Sequence, residues 1–285
     1  MNSNFCILIS QVWLTQDRME FREQLELSVE YCRLLNPNEY IIISGMGPIK
    51  PTKKTIDLCD KLIWEDEVSE VVGNGFPKMI SRGLQHAKDK KYKHVFKFRG
   101  DAIILNKKCV EECLSVINYE NKDLLITQES AYKFFDGRTM HNHYWVGDMV
   151  LFGKTDLLLE MFNPDSWVTH LNGMVVSGNY SLGLNLIKCR NCGEGENWIS
   201  FLRKNCSFRD APFFRWVDLR HNYKEIDIFK NLLEELKSTG SLRDSFDLSK
   251  YFWGVSHGAH KFDEFGNGIP AGDWIYKKEF YDEVQ

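Results

Sequence analysis

Short apolar runs rich in β-branched and aromatic residues alternate along this chain with stretches whose apolar positions recur every three or four residues. Phe5 to Ser10 is the first such run and reads as a buried strand. From Arg18 to Leu34, Phe21, Leu25, Val29 and Cys32 fall on one face of a helix, which Asn36 and Pro37 close. Tyr40 to Ser44 makes a second strand, stopped by Gly45 and Gly47. Lys61 to Trp64 makes a third, after a helical stretch around Thr55 to Asp60. Phe76 to Asp89 is helical, with Pro77 in its first turn, where a missing N–H costs little. His94 to Phe98 is a strand that runs straight into Arg99, Gly100 and Asp101. Lys107 to Ile117 is helical, and Asp123 to Thr127 is a further strand.

Strands that alternate with helices imply βαβ units. The expected fold is therefore α/β: a mostly parallel mixed sheet with helices on both faces. Beyond Gln128 the pattern loosens. Trp145 to Phe152 reads as a strand, and Asp156 to Phe162 and Glu196 to Lys204 as helices. No repeat or interdomain linker interrupts the chain, so residues 1–285 are expected to form a single domain.

The first strand already excludes several nucleotide-binding folds. Dinucleotide-binding and P-loop proteins place a glycine-rich turn after a strand, where backbone N–H groups meet phosphate. Here that strand ends in Ser10, Gln11, Val12 and Trp13, and no glycine precedes Gly45. Any diphosphate must be neutralised by other groups.

Composition narrows the field further. With 43% hydrophobic and 13% aromatic residues the chain has ample material for a core. A net charge of −4 with both signs interspersed argues against a nucleic-acid or anionic-lipid binder. Lys88, Lys90, Lys91 and Lys93, the densest basic cluster, read as the solvated end of a helix. No apolar run approaches the ~20 residues of a transmembrane helix, and no secretory leader is expected. Reduced thiols in a cytoplasm are the expectation for the cysteines.

The segment Lys97-Phe-Arg-Gly-Asp101 carries the chemistry, since open α/β sheets bind ligands beyond the carboxyl ends of their strands. Asp101 can hold a hard divalent ion against phosphate, and the Arg99 guanidinium fork suits phosphate oxygens directly. The plainer alternative is that Arg99 and Asp101 form a surface ion pair at the start of a turn. Downstream, Asp148 interrupts an apolar stretch, where a ligand contact and a buried ion pair are both open. Glu196 opens a helix, where an acidic residue also complements the helix dipole. His257 and His260 lie in a glycine-loosened loop and are either solvated or ligating.

Three elements in order resemble the WavE-like glycosyltransferases of lipopolysaccharide synthesis. One is the helix entered at Asn74 and ending near Gly83-Leu84, followed by a strand reading Lys97-x-Arg99-x-Asp101. The others are Asp148-Met-Val-Leu-Phe-Gly153 and the acidic helix start at Glu194 and Glu196. The resemblance spans roughly residues 70 to 205. It implies a GT-A-like fold, with a nucleotide-sugar-binding half over 1–130 and an acceptor-binding half with a C-terminal loop over 131–285. It implies transfer of a hexosyl or pentosyl group from a nucleotide sugar to a saccharide or glycan acceptor, with inversion. Donor contacts would come from Ser10, Gln11, Asn74, Arg99 and Asp101. Glu196 would be the first and Asp148 the second candidate base. Weakly bound Mn²⁺ or Mg²⁺ would be held by Asp101, His257 and His260. The usual Asp-x-Asp of GT-A enzymes is here Arg99-Gly100-Asp101, a departure that bears directly on the metal.

Other groupings carry less. Cys189 and Cys192 with Cys206 supply only three of the four ligands a structural zinc site wants. Cys109 and Cys113, one helical turn apart, belong to the core. His141 and His143 could line an acceptor site or lie in an exposed loop. A non-catalytic carbohydrate-binding protein and a metal-dependent hydrolase using Asp101 with His257 and His260 are the competing functional readings.

Overall fold

The apolar runs pair into one sheet, whose first strand has every residue buried, Phe5 through Gln11. A strand covered on both faces reads as a near-continuous hydrophobic run rather than an alternating one. The computed structural model describes residues 4–11, 19–66, 75–127, 129–135, 140–146, 148–168, 170–171, 174–175, 178–191, 198–209, 211–220, 222–241, 251, 259–262 and 268–271.

In chain order the first half comprises β1 (Phe5–Gln11), α1 (Met19–Leu35), β2 (Ile41–Met46), α2 (Lys53–Asp57), β3 (Lys61–Glu65), α3 (Gly75–Asp89), β4 (His94–Arg99), β5 (Ala102–Ile104), α4 (Cys109–Glu120) and β6 (Leu124–Ile126). Next come β7 (Glu129–Phe135), β8 (Met140–Val146), β9 (Val150–Lys154), α5 (Thr155–Met161), β10 (His170–Leu171), β11 (Met174–Val175), α6 (Gly178–Arg190) and α7 (Trp198–Asn205). The chain continues with β12 (Ser207–Phe208), α8 (Ala211–Phe214), β13 (Trp216–Asp218), α9 (Ile226–Thr239), β14 (Ala259–Phe262) and β15 (Gly268–Ala271).

The main sheet has the order β12-β6-β9-β4-β1-β2-β3. All of its neighbours are parallel except β9, which runs against both β4 and β6. This is the mixed, mostly parallel α/β sheet expected from the sequence. Alternate residues of β1 feed two cores. Ile7 and Ile9 pack with Leu25 and Val29 of α1, and the same cluster takes in Val110 of α4 and Phe229 of α9. Cys6 and Leu8 face the other way, in a cluster with Ile80 of α3, Leu158 of α5 and Leu186 of α6. Helices therefore cover both faces.

Two parts of the sequence reading are corrected. The expected strand over 145–152 is broken: β8 ends at Val146, β9 begins at Val150, and Asp148 lies in the bend between them. The physical reason is that the two halves belong to different sheets. β8 pairs with β7 in a separate two-stranded ribbon, whereas β9 pairs with β4 and β6. The second correction is α9, which the reading passed over although Ile226, Phe229, Leu232, Leu233 and Leu236 are its buried positions. Their spacing is that of one helix face. Among the described residues, no helix is long and apolar enough to cross a membrane. Cys109 and Cys113 lie in the core, as expected.

Candidate functional site

Because β1, β2, β4 and β6 point the same way, their carboxyl ends share one edge of the sheet, where ligands of open α/β sheets bind. Antiparallel β9 brings the residues just before it, Asp148 and Met149, to that same edge. Ser10 lies opposite Arg99 in the β1–β4 ladder, and Gln11 lies opposite Gly45. The chain then leaves β4 under tight control. The N–H of Arg99 donates to the carbonyl of Met149 at 3.1 Å, and that of Gly100 to the carbonyl of Ser10 at 2.8 Å. A side chain at Gly100 would collide with the Gln11 carboxamide, at 2.3 Å from Oε1. Glycine is needed here because two strand ends and α1 converge on it.

The structure joins Arg99 and Asp101 directly. Arg99 donates from Nε to Oδ1 of Asp101 at 3.2 Å and from Nη2 to Oδ2 at 2.6 Å. The ion pair that the sequence left open is present, but it is not a surface one: the Asp101 side chain is only 5% exposed. Burial by itself would raise the Asp101 carboxyl. The charges of Arg99 and Arg220, with the Arg99 hydrogen bond, outweigh burial and hold it below the usual carboxylate range.

Around this pair stand four further charged groups. Asp148, also buried, places Oδ2 3.9 Å from Nη1 of Arg99. Lys97, wholly buried on β4, donates from Nζ to the main-chain carbonyl of Asp148. Its ammonium lies 6.0 Å from the ring centre of Phe76 and 5.6 Å from that of Phe162. Desolvation pushes Lys97 down to about 8. From the other side, β13 pairs antiparallel with β5, aligning Asp218 with Ala102. The next residue, Leu219, donates its N–H to the Asp101 carbonyl at 2.8 Å. Arg220 then reaches Oδ2 of Asp218 at 3.5 Å and Oδ2 of Asp101 at 4.0 Å. Lys97, Arg99 and Arg220 thus face Asp101, Asp148 and Asp218, a cluster whose formal charges cancel.

This donor set does not fit a resident divalent ion. Both oxygens of Asp101 already accept from a guanidinium, and an added dication would sit beside two arginines. Among the described residues, no group of three His, Cys, Asp or Glu side chains is placed to hold a metal.

Of the residues expected from the sequence, the structure brings Ser10, Gln11, Arg99, Asp101 and Asp148 to one edge. Asn74, Glu194, Glu196 and His257 lie outside the described residues, as do Val12, Trp13 and Cys192. His260 is described only as backbone in β14, and His141 and His143 only as backbone in β8. Two members of the cluster, Asp218 and Arg220, carry no signal in the sequence, and Lys97 stands in the motif there without a role of its own. A signal for Lys97 existed, since a lysine between Phe96 and Phe98 in a buried strand is costly. None existed for Asp218 and Arg220, which reach the site through a β13–β5 pairing between segments remote in sequence.

No family model matches the chain, and no curated protein does. The resemblance to WavE-like enzymes therefore rests on the motifs alone. Among solved structures, a 4-diphosphocytidyl-2C-methyl-D-erythritol synthase is similar at 5% identity and a TM-score of 0.45, covering 80% of this chain and 99% of the other. The corresponding synthase of Anaerococcus prevotii is similar at 12% identity and a TM-score of 0.40, covering 73% of this chain and 90% of that one. A glycosyltransferase involved in glycosylation of the major capsid of PBCV-1 is similar at 12% identity and a TM-score of 0.36, covering 72% and 81%. These are likenesses of chain trace, and no residue role follows from them.

Proposed function

We propose that this chain is a GT-A-like glycosyltransferase that moves a sugar from a nucleotide-sugar donor to a saccharide acceptor in polysaccharide, lipopolysaccharide or glycan synthesis. One observation carries the reading. A buried Arg99–Asp101 pair stands beside Ser10 and Gln11, where the parallel strands of the sheet end together. Residues 1–130 would form the donor half and residues 131–285 the acceptor half. Ser10, Gln11, Asn74, Arg99 and Asp101 would line the donor. A leaving diphosphate needs fixed positive charge, and guanidinium groups held in place by buried carboxylates supply it without reorganising.

For the acceptor, Glu196 is the first candidate base. Asp148 ranks second because its carboxylate already faces Arg99 and so serves to hold that guanidinium. Mn²⁺ or Mg²⁺ would arrive as the counter-ion of the donor's phosphates, with His257 and His260 as further ligands, and no step of the transfer is assigned to it. The cancelling charges of the cluster also support a second reading, a carbohydrate-binding protein that has lost turnover.

The two readings separate in one experiment. The full chain is screened by thermal shift against UDP-, GDP-, CMP- and dTDP-sugars with and without Mn²⁺, and nucleotide release is then followed with saccharide acceptors. Release that depends on the acceptor supports transfer. Sugar binding without release supports the second reading, and no shift with any nucleotide sugar overturns the first.

A further inference from the structure

The two arginines of the cluster are not equivalent. Arg99 spends Nε and Nη2 on Asp101, and its side chain is 25% exposed. Arg220 is more open, at 35%: its Nε is buried 4.0 Å from Oδ2 of Asp101, and its Nη2 makes only a long 3.5 Å contact with Oδ2 of Asp218. The backbone holds Arg220 in this position. Its own N–H donates to Oδ1 of Asp218 at 3.0 Å, and the neighbouring Leu219 N–H is fixed to Asp101. Asp218 is fully buried, so it anchors the guanidinium from the protein side. A planar fork with fixed orientation, a loosely held Nη2 and about a third of its side chain exposed suits the paired oxygens of phosphate.

We propose that Arg220 is the principal contact to the donor's diphosphate oxygens, while Arg99 positions Asp101 and the end of β4. This rests on the nucleotide-sugar reading above and deepens it. The assignment moves the main phosphate contact away from the Arg99 motif to a residue that only the β13–β5 pairing brings to the site.

The test is calorimetric binding of inorganic pyrophosphate to the full chain in excess EDTA, at two salt concentrations, for wild type, Arg220→Gln and Arg220→Lys. Arg220→Gln is expected to weaken binding roughly tenfold to a hundredfold, the range for a charge-assisted hydrogen bond, and to flatten the salt dependence. Arg220→Lys keeps the charge but loses the fork, so it should fall between the two. It also carries the test if Arg220→Gln does not fold. Equal pyrophosphate binding by wild type and both variants overturns the assignment and leaves the transferase reading standing. Failure of the wild type to bind pyrophosphate also overturns it. Binding that depends on Arg220, with no nucleotide released from any nucleotide sugar, supports the anion site and overturns the transferase reading.

Discussion

The ammonium of Lys97 is tied to the main-chain carbonyl of Asp148, which pins the bend before β9 to the centre of β4. That bend carries the Asp148 carboxylate toward Arg99, so a wholly buried cation sets the outer geometry of the cluster. Burying an ammonium against Phe76 and Phe162 costs stability at neutral pH, and desolvation accordingly pulls Lys97 down to about 8. A group whose folded pKa lies below its unfolded one gains stability as pH rises between the two values. The wild type should therefore gain on Lys97→Met as pH rises from about 8 toward 10.5, by on the order of 3 kcal/mol at completion. Urea unfolding of both proteins across that range measures the difference. A constant gap would mean that Lys97 is not a buried cation.

Gly100 offers a steric test of the same corner. An alanine there would put its Cβ 2.3 Å from Oε1 of Gln11 and 2.8 Å from Cδ1 of Leu25. The amide end of Gln11 can yield, but Leu25 is wholly buried in α1. Overpacking of this kind costs about 1–3 kcal/mol. Gly100→Ala should unfold at lower denaturant. It should also bind nucleotide sugar more weakly, because Gln11 must leave the position proposed for donor contact. Loss of stability with unchanged donor affinity would remove Gln11 from the donor site.

The sheet was legible because its central strands β1 and β2 are buried on both faces and its helices on one. β1 is a solid apolar run, and α1 shows the spacing of Leu25, Val29 and Cys32. The Arg99–Asp101 segment was legible for a related reason: charged residues at the end of an apolar strand are conspicuous. The rest of the cluster depends on contacts that no local pattern encodes. Asp218 ends a three-residue strand and Arg220 lies just beyond it, and only pairing with β5 brings them to Asp101. Asp148 was noticed but read as part of a strand, because Met149 to Phe152 is apolar enough to hide the change of sheet at the bend. α9 carries its signal openly, in the spacing of Ile226, Phe229, Leu233 and Leu236.

The choice of base gives a clean contrast. A positioned general base contributes about 10²–10⁴-fold, and a neutral isostere removes that contribution while leaving shape intact. Glu196→Gln is expected to keep donor affinity and lose most of kcat. Asp148→Asn should instead loosen Arg99, raising KM for the donor and lowering the melting temperature more than Glu196→Gln does. If Asp148→Asn abolishes turnover with donor affinity unchanged, while Glu196→Gln turns over normally, the two roles are exchanged.

The dependence on metal follows from the charges. Lys97, Arg99 and Arg220 balance Asp101, Asp148 and Asp218, so the cluster has no surplus negative charge to draw in a dication by itself. A diphosphate adds two negative charges, and a divalent ion bound to it restores the balance. Mn²⁺ alone should therefore bind weakly, with affinity rising when a nucleoside diphosphate is present, and transfer should fall in chelator and recover with Mn²⁺. Asp101→Asn would leave Arg99 without its fork partner. That should lower stability by less than the ~3–5 kcal/mol of breaking a fully buried pair, because Arg99 is a quarter exposed. The Mn²⁺ enhancement of donor binding should persist in Asp101→Asn, because both oxygens of Asp101 are already committed to Arg99. Arg99→Ala should weaken donor binding in EDTA as well, since it frees Asp101 to repel phosphate. Calorimetry of nucleoside diphosphate with and without Mn²⁺ reads all three proteins. Full transfer in EDTA would mean that no divalent ion accompanies the donor and that the arginines stabilise the leaving diphosphate alone.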